Sequence, residues 1–140
     1  MKKVLLVGLV IATGALALTG CAQQKKSAAK ATGLQRIHFD FDKSDIKAEF
    51  EPVLASNAAW LQANGKKNVV IEGHCDERGS LEYNIALGDR RANTAKGYLQ
   101  KLGVAADRLS AISYGEERPL ATCHDESCWW QNRRAEFATK

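Results

Sequence analysis

The sequence lacks the short motifs that mark the common hydrolases and nucleotide-binding enzymes. It has no His-Glu-x-x-His or Cys-x-x-Cys pair to fix zinc ligands, no Gly-x-Ser-x-Gly to present a nucleophilic serine, and no glycine-rich loop to hold phosphates. Histidine is scarce as well, with three residues among 140. These absences weigh against catalysis as the function of the chain.

The sequence also lacks the charge pattern of a nucleic-acid-binding protein. The formal net charge is only +4, and Lys2 and Lys3 at the N-terminus supply part of it. Acidic and basic residues are interspersed along the chain, whereas a surface for nucleic acid is a basic stripe with interleaved aromatic residues. We therefore expect no nucleic-acid partner.

The long apolar stretch at the N-terminus is too short for a membrane-spanning helix, which needs roughly 20 apolar residues. A basic start, an apolar middle over residues 4–18 and a small-residue end predict a signal peptide over residues 1–20. The sequence Leu-Thr-Gly-Cys that ends at Cys21 resembles the lipobox of bacterial lipoproteins, which implies cleavage before Cys21 and acylation of that residue. The alternative is an ordinary secretory signal in which Cys21 is incidental.

The rest of the chain divides into a tether and one folded domain. Residues 23–33 contain no large apolar side chain and cannot offset the entropy cost of ordering, so we predict a flexible linker over 21–34 that begins at the lipidated Cys21. Residues 35–140 are long enough to bury one ordinary hydrophobic core.

Hydrophobic periodicity predicts an α/β two-layer sandwich in residues 35–140. Alternation places Ile37, Phe39 and Phe41 on one face of the first strand, and Asn64-Gly65 supplies a left-handed end to the first helix. The expected order is β-α-β-α-β-β, with the helices packed on one face of a mixed sheet and the last two strands antiparallel. The predicted strands cover residues 35–41, 68–73, 109–114 and 134–139, the predicted helices cover about 49–63 and 81–102, and residues 115–131 form a long loop.

Several ionisable residues at the ends of the first two strands could serve catalysis or binding. They are His38, Asp40, Asp42, His74, Cys75, Asp76 and Glu77. A metal-dependent cell-wall hydrolase is the enzymatic alternative, because two strand ends can bring His and Asp groups together as in a zinc site. We predict no metal site, since no motif fixes the ligand geometry, and we expect His38 and His74 to be hydrogen-bonded and partly buried.

Motifs in register along residues 73–92 carry a resemblance to a known family. They are Gly-His-Cys-Asp-Glu-Arg-Gly over residues 73–79, followed by Tyr83-Asn84, Leu87-Gly88 and Arg90-Arg91-Ala92. These motifs resemble the OmpA-like peptidoglycan-binding domain family, with the likeness extending over residues from about 37 to 137. The Asp-Glu-Arg-Gly version is similar to that of the lipoproteins in the family. The resemblance implies a non-catalytic binding domain that uses no cofactor.

The resemblance implies a site for the diaminopimelate residue of peptidoglycan stem peptides. One carbon of that residue carries an ammonium and a carboxylate, which call for a carboxylate and a guanidinium in the protein. Asp76 and Arg91 match the family's pair for this task. The pocket residues implied by the resemblance are Phe39, Asp40, Asp76, Leu87, Arg91, Asn132 and Arg133. From the sequence pattern alone, an internal salt bridge between Asp76 and Arg91 is the alternative.

The resemblance also implies a place in the cell envelope. Ala22 after the acylated Cys21 favours sorting to the outer membrane, with the domain facing the periplasm. The chain would anchor that membrane to the wall as part of the Tol–Pal system, which pulls the outer membrane inward during division, and the periplasmic propeller protein TolB would be a partner. An assembly lipoprotein with no affinity for the wall is a further alternative.

Three cysteines remain after Cys21 is lipidated. Cys123 and Cys128 lie in the long loop before the last strand, and an oxidising periplasm predicts a disulfide between them. A metal site that includes His124 is the alternative, although it lacks a fourth ligand. Cys75 is then unpaired and stands where the family usually has a small residue, so we expect ligand binding to survive and a reactive thiol to be an oxidation liability.

Overall fold

The computed structural model describes residues 33–140 of the chain. The signal peptide predicted over residues 1–20 and the lipidation predicted at Cys21 lie outside the described residues, as does nearly all of the linker predicted over 21–34. Within residues 33–140, no helix combines the length and the apolar character needed to cross a membrane.

Four strands form one mixed sheet on which the helices pack. The strands are β1 (Ile37–His38), β2 (Val69–His74), β3 (Leu109–Gly115) and β4 (Arg134–Thr139), and the α-helices are α1 (Glu51–Ala63), α2 (Leu81–Lys101) and α3 (Glu126–Asn132). The order across the sheet is β1-β4-β2-β3, with β2 and β3 parallel and β4 antiparallel to both β1 and β2. The predicted α/β two-layer sandwich with a mixed sheet is confirmed.

The core lies between the sheet and the two long helices. Along β2, Val69 and Ile71 are buried while Val70 and Glu72 are half-buried, so one face of the sheet carries the core. α1 and α2 cover that face with side chains at helical spacing. The buried core residues are Ile37, Phe39, Leu54, Ala58, Leu61, Val69, Ile71, Ala92, Ala95, Leu99, Val104, Leu109 and Ala135.

The first strand is shorter than its alternating sequence predicts. β1 covers two residues, and the backbone N–H of Phe39 still donates to the carbonyl of Arg133 at 2.9 Å. The chain then turns at Asp42, which has a positive φ of 56°. The prediction that Phe41 shares the buried face of the strand is wrong, because this turn leaves Phe41 55% exposed.

The end of α1 and the position of β4 also differ from the prediction. Asn64 ends α1 at the predicted place with a φ of −114°, outside the left-handed region. Its side-chain Nδ2 donates to the carbonyl of Trp60 at 2.8 Å instead, which satisfies a carbonyl at the helix end. β4 is antiparallel in direction to β3, but it pairs with β1 and β2 and does not touch β3 in the sheet.

The region predicted as a loop before the last strand contains helix α3. The carboxylate of Asp125 accepts a hydrogen bond from the backbone N–H of Ser127 at 2.8 Å and so caps the helix. α3 has seven residues, too few for a clear helical periodicity, which explains why the pattern of apolar residues does not predict it.

Two glycines allow β2 and α2 to approach closely. A Cβ at Gly73 would lie 1.8 Å from the carbonyl oxygen of Gly88, and a Cβ at Gly88 would lie 2.2 Å from Oγ of Ser113. A Cβ atom does not come this close to another heavy atom in a folded protein, so the helix can lie at this distance from the strand only if both positions lack a side chain.

We expect Gly73→Ala to lower the free energy of unfolding by about 3 kcal/mol, because the added methyl group overpacks rigid backbone. Urea denaturation measures the change. The matched control is Gly97→Ala on the same helix, where a Cβ meets open space and should stabilise the protein by about 0.5–1 kcal/mol. Equal stability of the two variants would contradict the close approach.

His74 is buried at the end of β2 without a hydrogen bond. It is 2% exposed, and neither ring nitrogen has a hydrogen-bond partner among the described residues, although the carboxylate of Glu72 lies 3.7 Å from Nε2. Its ring lies against Tyr114 at 5.6 Å between centroids. Burial, with the nearby charge of Arg134, lowers the pKa of His74 from 6.5 to about 4 despite the opposing effect of Glu136. The prediction of a partly buried His74 is correct as to burial, but the predicted hydrogen bond is not present.

We predict that His74 makes stability depend on pH between about 6.5 and 4. The unfolded chain takes up the proton first as the pH falls, so stability present above pH 6.5 is lost toward pH 4, by up to about 3 kcal/mol from this residue. Urea titrations across this range, on the wild type and on His74→Gln, measure it. The two curves should diverge with pH, and parallel curves would rule the effect out.

Candidate ligand-binding site

A cavity of about 170 Å³ opens where β2 ends and α2 begins. Its walls come from the turn after β1, the loop after β2, the first turns of α2 and the residue before β4. The lining residues are Phe41, Asp42, Cys75, Asp76, Arg78, Gly79, Tyr83, Asn84, Leu87, Arg91 and Arg133.

The loop between β2 and α2 is held by hydrogen bonds close to the cavity. Ser80 caps α2 by accepting from the backbone N–H of Tyr83 at 3.2 Å. Asn84, which is 1% exposed, donates from Nδ2 to the carbonyls of Asp76 at 3.2 Å and Arg78 at 3.1 Å. The same amide group contacts the carboxylate of Glu116. The loop therefore has a defined shape before any ligand binds.

Asp76 lies two residues beyond β2 and is 3% exposed. Its Oδ1 accepts from the backbone N–H and Nε of Arg78 at 3.0 and 3.1 Å, and its Oδ2 accepts from Arg78 at 2.7 Å and from Arg133 at 3.3 Å. Burial alone would raise the pKa of Asp76, but the hydrogen bonds and charge of Arg78, with the bond from Arg133, outweigh it and hold the pKa below its ordinary value. Asp76 is therefore ionised at neutral pH.

Arg91 projects from α2 to the floor of the cavity and is fully buried. Its guanidinium donates to the carbonyls of Lys43, His74 and Asp40 at 2.8, 2.8 and 3.1 Å, and to the sulfur of Cys75 at 3.4 Å. Four of its five N–H groups are thus used, and the guanidinium makes no direct ion pair with a described carboxylate. Burial lowers the pKa of Arg91, but an arginine remains a cation at neutral pH.

Arg133 closes the side of the cavity nearest to α3. Its Nε donates to the carbonyl of Phe39 at 3.0 Å, and its terminal nitrogens reach Asp76 and the carboxylate of Glu126. Burial would lower the pKa of Arg133, but these carboxylates outweigh it and raise that pKa. Glu126 is the first residue of α3. This helix, which the sequence did not predict, therefore holds the guanidinium of Arg133 in place.

The structure brings together four of the seven predicted pocket residues. Asp76, Leu87, Arg91 and Arg133 line the cavity, whereas Phe39, Asp40 and Asn132 do not. Asp76 and Arg91 do not form the internal salt bridge that the sequence pattern left open, since Asp76 pairs with Arg78 and Arg133.

The three residues outside the cavity wall support those that line it. The ring of Phe39 lies 5.1 Å from the guanidinium carbon of Arg91. Asp40 gives its carbonyl to Arg91, while its carboxylate, about half exposed, pairs with Lys47 at 3.2 Å. The amide of Asn132 accepts from the N–H groups of residues 120 and 121 and donates to the carbonyl of Ala121, and so holds the long loop.

The pocket residues implied by the resemblance leave out several residues that line the cavity. Phe41 and Asp42 belong to the turn that replaces the end of the predicted strand, and the hydroxyl of Tyr83 donates to the carboxylate of Asp42. Arg78 lines the cavity but is not among the pocket residues that the resemblance implies. The motif over 73–79 contains Arg78 and is the signal that could have drawn attention to it.

The long loop is closed by a disulfide between Cys123 and Cys128, the pairing that the sequence predicts. The alternative metal site with His124 does not fit, because disulfide sulfurs are not thiolate ligands. Across residues 33–140, no three His, Cys, Asp or Glu side chains come together in a way that could hold a metal ion. A second cavity of about 290 Å³ lies between this loop and Glu77 and meets the first at Cys75.

Cys75 does not have the environment of a reactive thiol. It is 3% exposed, and its thiol donates to the carbonyl of Asn84 at 3.3 Å. Burial raises the pKa of Cys75 to about 11, although the charge of Arg91 opposes the increase. The thiol is therefore protonated at neutral pH. The prediction that Cys75 is a reactive thiol prone to oxidation is wrong, because the side chain is buried.

Fold and cavity together define a small α/β domain with a paired-charge pocket at one end of its sheet. The OmpA family model matches residues 38–133, and the chain belongs to the OmpA family.

Its relatives within that family are lipoproteins by name. The chain is 43% identical to the peptidoglycan-associated lipoprotein of Pasteurella multocida, over 99% of this chain and 97% of that protein. It is 55% identical to that of Mesorhizobium japonicum over 71% of this chain, and it spans 60% of the relative's length. The crystal structure of the peptidoglycan-associated lipoprotein from Burkholderia pseudomallei superposes with a TM-score of 0.74 at 38% identity, covering 76% of this chain and 90% of that one. The resemblance inferred from the motifs is confirmed.

We expect iodoacetamide to alkylate Cys75 in the folded protein about a hundredfold more slowly at pH 8 than in the unfolded chain. A pKa near 11 instead of 9.0 reduces the thiolate fraction by that factor, and burial slows access further. Peptide mapping by mass spectrometry after timed alkylation, with and without urea, separates Cys75 from the other cysteines. Equal rates in the two conditions would contradict the assignment.

Proposed function

We propose that this chain is a non-catalytic lipoprotein that binds peptidoglycan through the diaminopimelate of its stem peptides. The observation that carries the proposal is that Asp76 and Arg91 line the same cavity with opposite charges and do not form an ion pair with each other. The names of the relatives support the same ligand class.

The two charges suit the two groups on the free end of diaminopimelate. Asp76 is an ionised, nearly buried carboxylate, so little water would compete with a ligand ammonium for its charge. Arg91 offers the positive charge and the one N–H that its three carbonyl partners and the sulfur of Cys75 leave unused. Leu87, 4% exposed, supplies an apolar wall for the methylene groups of the ligand.

The wider role follows from the resemblance and from the predicted lipid anchor. With Cys21 acylated and residues 21–34 acting as a tether, the domain would hold the outer membrane to the wall from the periplasmic side. Membership in the Tol–Pal system, with TolB as partner and a role in constriction during division, rests on the Asp-Glu-Arg-Gly version of the motif. No observation on residues 33–140 favours the metal-dependent hydrolase, so we do not propose it.

The test uses Asp76→Asn and purified sacculi. Loss of the carboxylate's charge removes an interaction of about 1.5–3 kcal/mol with the ligand ammonium, so the affinity should fall about 10- to 100-fold. Co-sedimentation at several protein concentrations measures it, and circular dichroism checks that the variant is folded. The matched control is Asp89→Asn, an exposed carboxylate on α2 outside the cavity.

The choice of ligand sharpens the test. Sacculi with lysine in place of diaminopimelate lack the carboxylate beside the terminal ammonium and should not retain the wild-type protein. Arg91→Ala is a poor test because it leaves three backbone carbonyls, one of them buried, without donors and is expected to destabilise the fold. Unchanged sedimentation of Asp76→Asn, or equal binding to lysine sacculi, would exclude the proposed pocket.

A further inference from the structure

Every acceptor position on Asp76 is already filled in the free domain. A carboxylate offers about four lone-pair positions, and Asp76 accepts four hydrogen bonds, three from Arg78 and one from Arg133. A ligand ammonium can therefore reach this carboxylate only when one of the present donors leaves.

Arg133 is the donor that is more firmly held. It is 6% exposed, and besides Asp76 it binds the carbonyl of Phe39 and both oxygens of Glu126. Its departure would break several hydrogen bonds of a buried cation, which is costly.

Arg78 is the donor that can leave. Its side chain is 30% exposed at the wall of the cavity and forms a bidentate pair with Asp76. Its guanidinium carbon lies 3.9 Å from the ring centre of Phe41 and 4.0 Å from that of Trp129. Phe41 is itself exposed, so the side chain of Arg78 can move to solvent without opening the core.

The stack around Arg78 is built by two separate parts of the chain. Phe41 belongs to the turn after β1, and Trp129 belongs to α3, where its Nε1 donates to Glu77 at 2.8 Å. The two rings hold the guanidinium by cation–π contact while Asp76 holds it by charge. Arg78 thus presents a cation to the same carboxylate that the ammonium of the proposed ligand would use.

We infer that Arg78 is a specificity-determining residue that occupies the ammonium position of the free site and is displaced by the ligand. The inference rests on the proposed function. A ligand with carboxylates alone gains nothing from Asp76 and leaves Arg78 in place. A ligand with an ammonium beside its carboxylate replaces Arg78 on Asp76, so the free site selects for the pair of charges.

The first test measures binding of meso-diaminopimelate by isothermal titration calorimetry. Arg78→Ala should bind about tenfold more tightly than the wild type, the change expected if Arg78 occupies Asp76 in about nine molecules of ten. Arg78→Gln, which keeps much of the side-chain length without the charge, should change in the same direction. The control is Arg90→Ala, an exposed arginine outside the cavity, which should bind like the wild type.

Pimelate is the matched ligand because it is diaminopimelate without its two amines. Its affinity should not rise in Arg78→Ala. An equal gain for both ligands would mean that Arg78 is only a steric cover, and weaker or unchanged binding of diaminopimelate in Arg78→Ala would also overturn the inference. If neither the wild type nor the variants bind diaminopimelate, the proposed function fails as well, so the two failures are distinguishable.

Trp129 provides a second readout that a purely structural role would not change. With Trp60 and Trp130 replaced by phenylalanine, Trp129 is the one remaining tryptophan of the chain. Diaminopimelate should shift its emission when Arg78 is present, because the guanidinium leaves the ring, and the shift should be much smaller in Arg78→Ala. Binding without any Arg78-dependent change would overturn displacement.

Discussion

The buried guanidinium of Arg91 is the interaction on which the site depends. It donates to the carbonyls of Asp40 and Lys43 in the turn after β1 and to that of His74 at the end of β2, and so joins two segments distant in sequence to α2. A buried charge is tolerated only when hydrogen bonds replace its hydration, and these carbonyls do so without cancelling the charge. The positive field at the floor of the cavity therefore remains available to an anionic group, while the same bonds hold the cavity's shape.

The segment before β4 completes the site from the opposite side. The disulfide between Cys123 and Cys128 and the cap at Asp125 fix α3, which is too short to be stable alone. From α3, Glu126 holds Arg133 and Trp129 covers Arg78. The long loop is thus a structural part of the pocket, in keeping with the tendency of binding residues to lie on loops that a rigid scaffold positions.

The sequence predicts the scaffold better than it predicts the site. Alternation and helical spacing locate β2, α2, β3 and β4 to within about one residue, because these elements bury continuous apolar faces. The same rule fails at Phe41, where a turn with positive φ ends the strand although the alternation continues. It fails at α3 because seven residues with a disulfide and two tryptophans carry no clear period. Asp76 and Arg91 could be named from motifs, but their partners could not, since hydrogen bonds between distant segments leave no periodic signal.

The glycine pair explains why Asp76 and Arg91 meet at one cavity. Asp76 stands three residues after Gly73, and Arg91 stands three residues, or about one helical turn, after Gly88. Since a side chain at either glycine would collide with backbone or with Ser113, the contact between Gly73 and Gly88 sets the smallest distance between strand and helix. A wider separation would draw Arg91 away from the carbonyl of His74 and from the floor of the cavity. The spacing of two charged groups that a zwitterionic ligand requires is therefore set by two residues that carry no functional group at all.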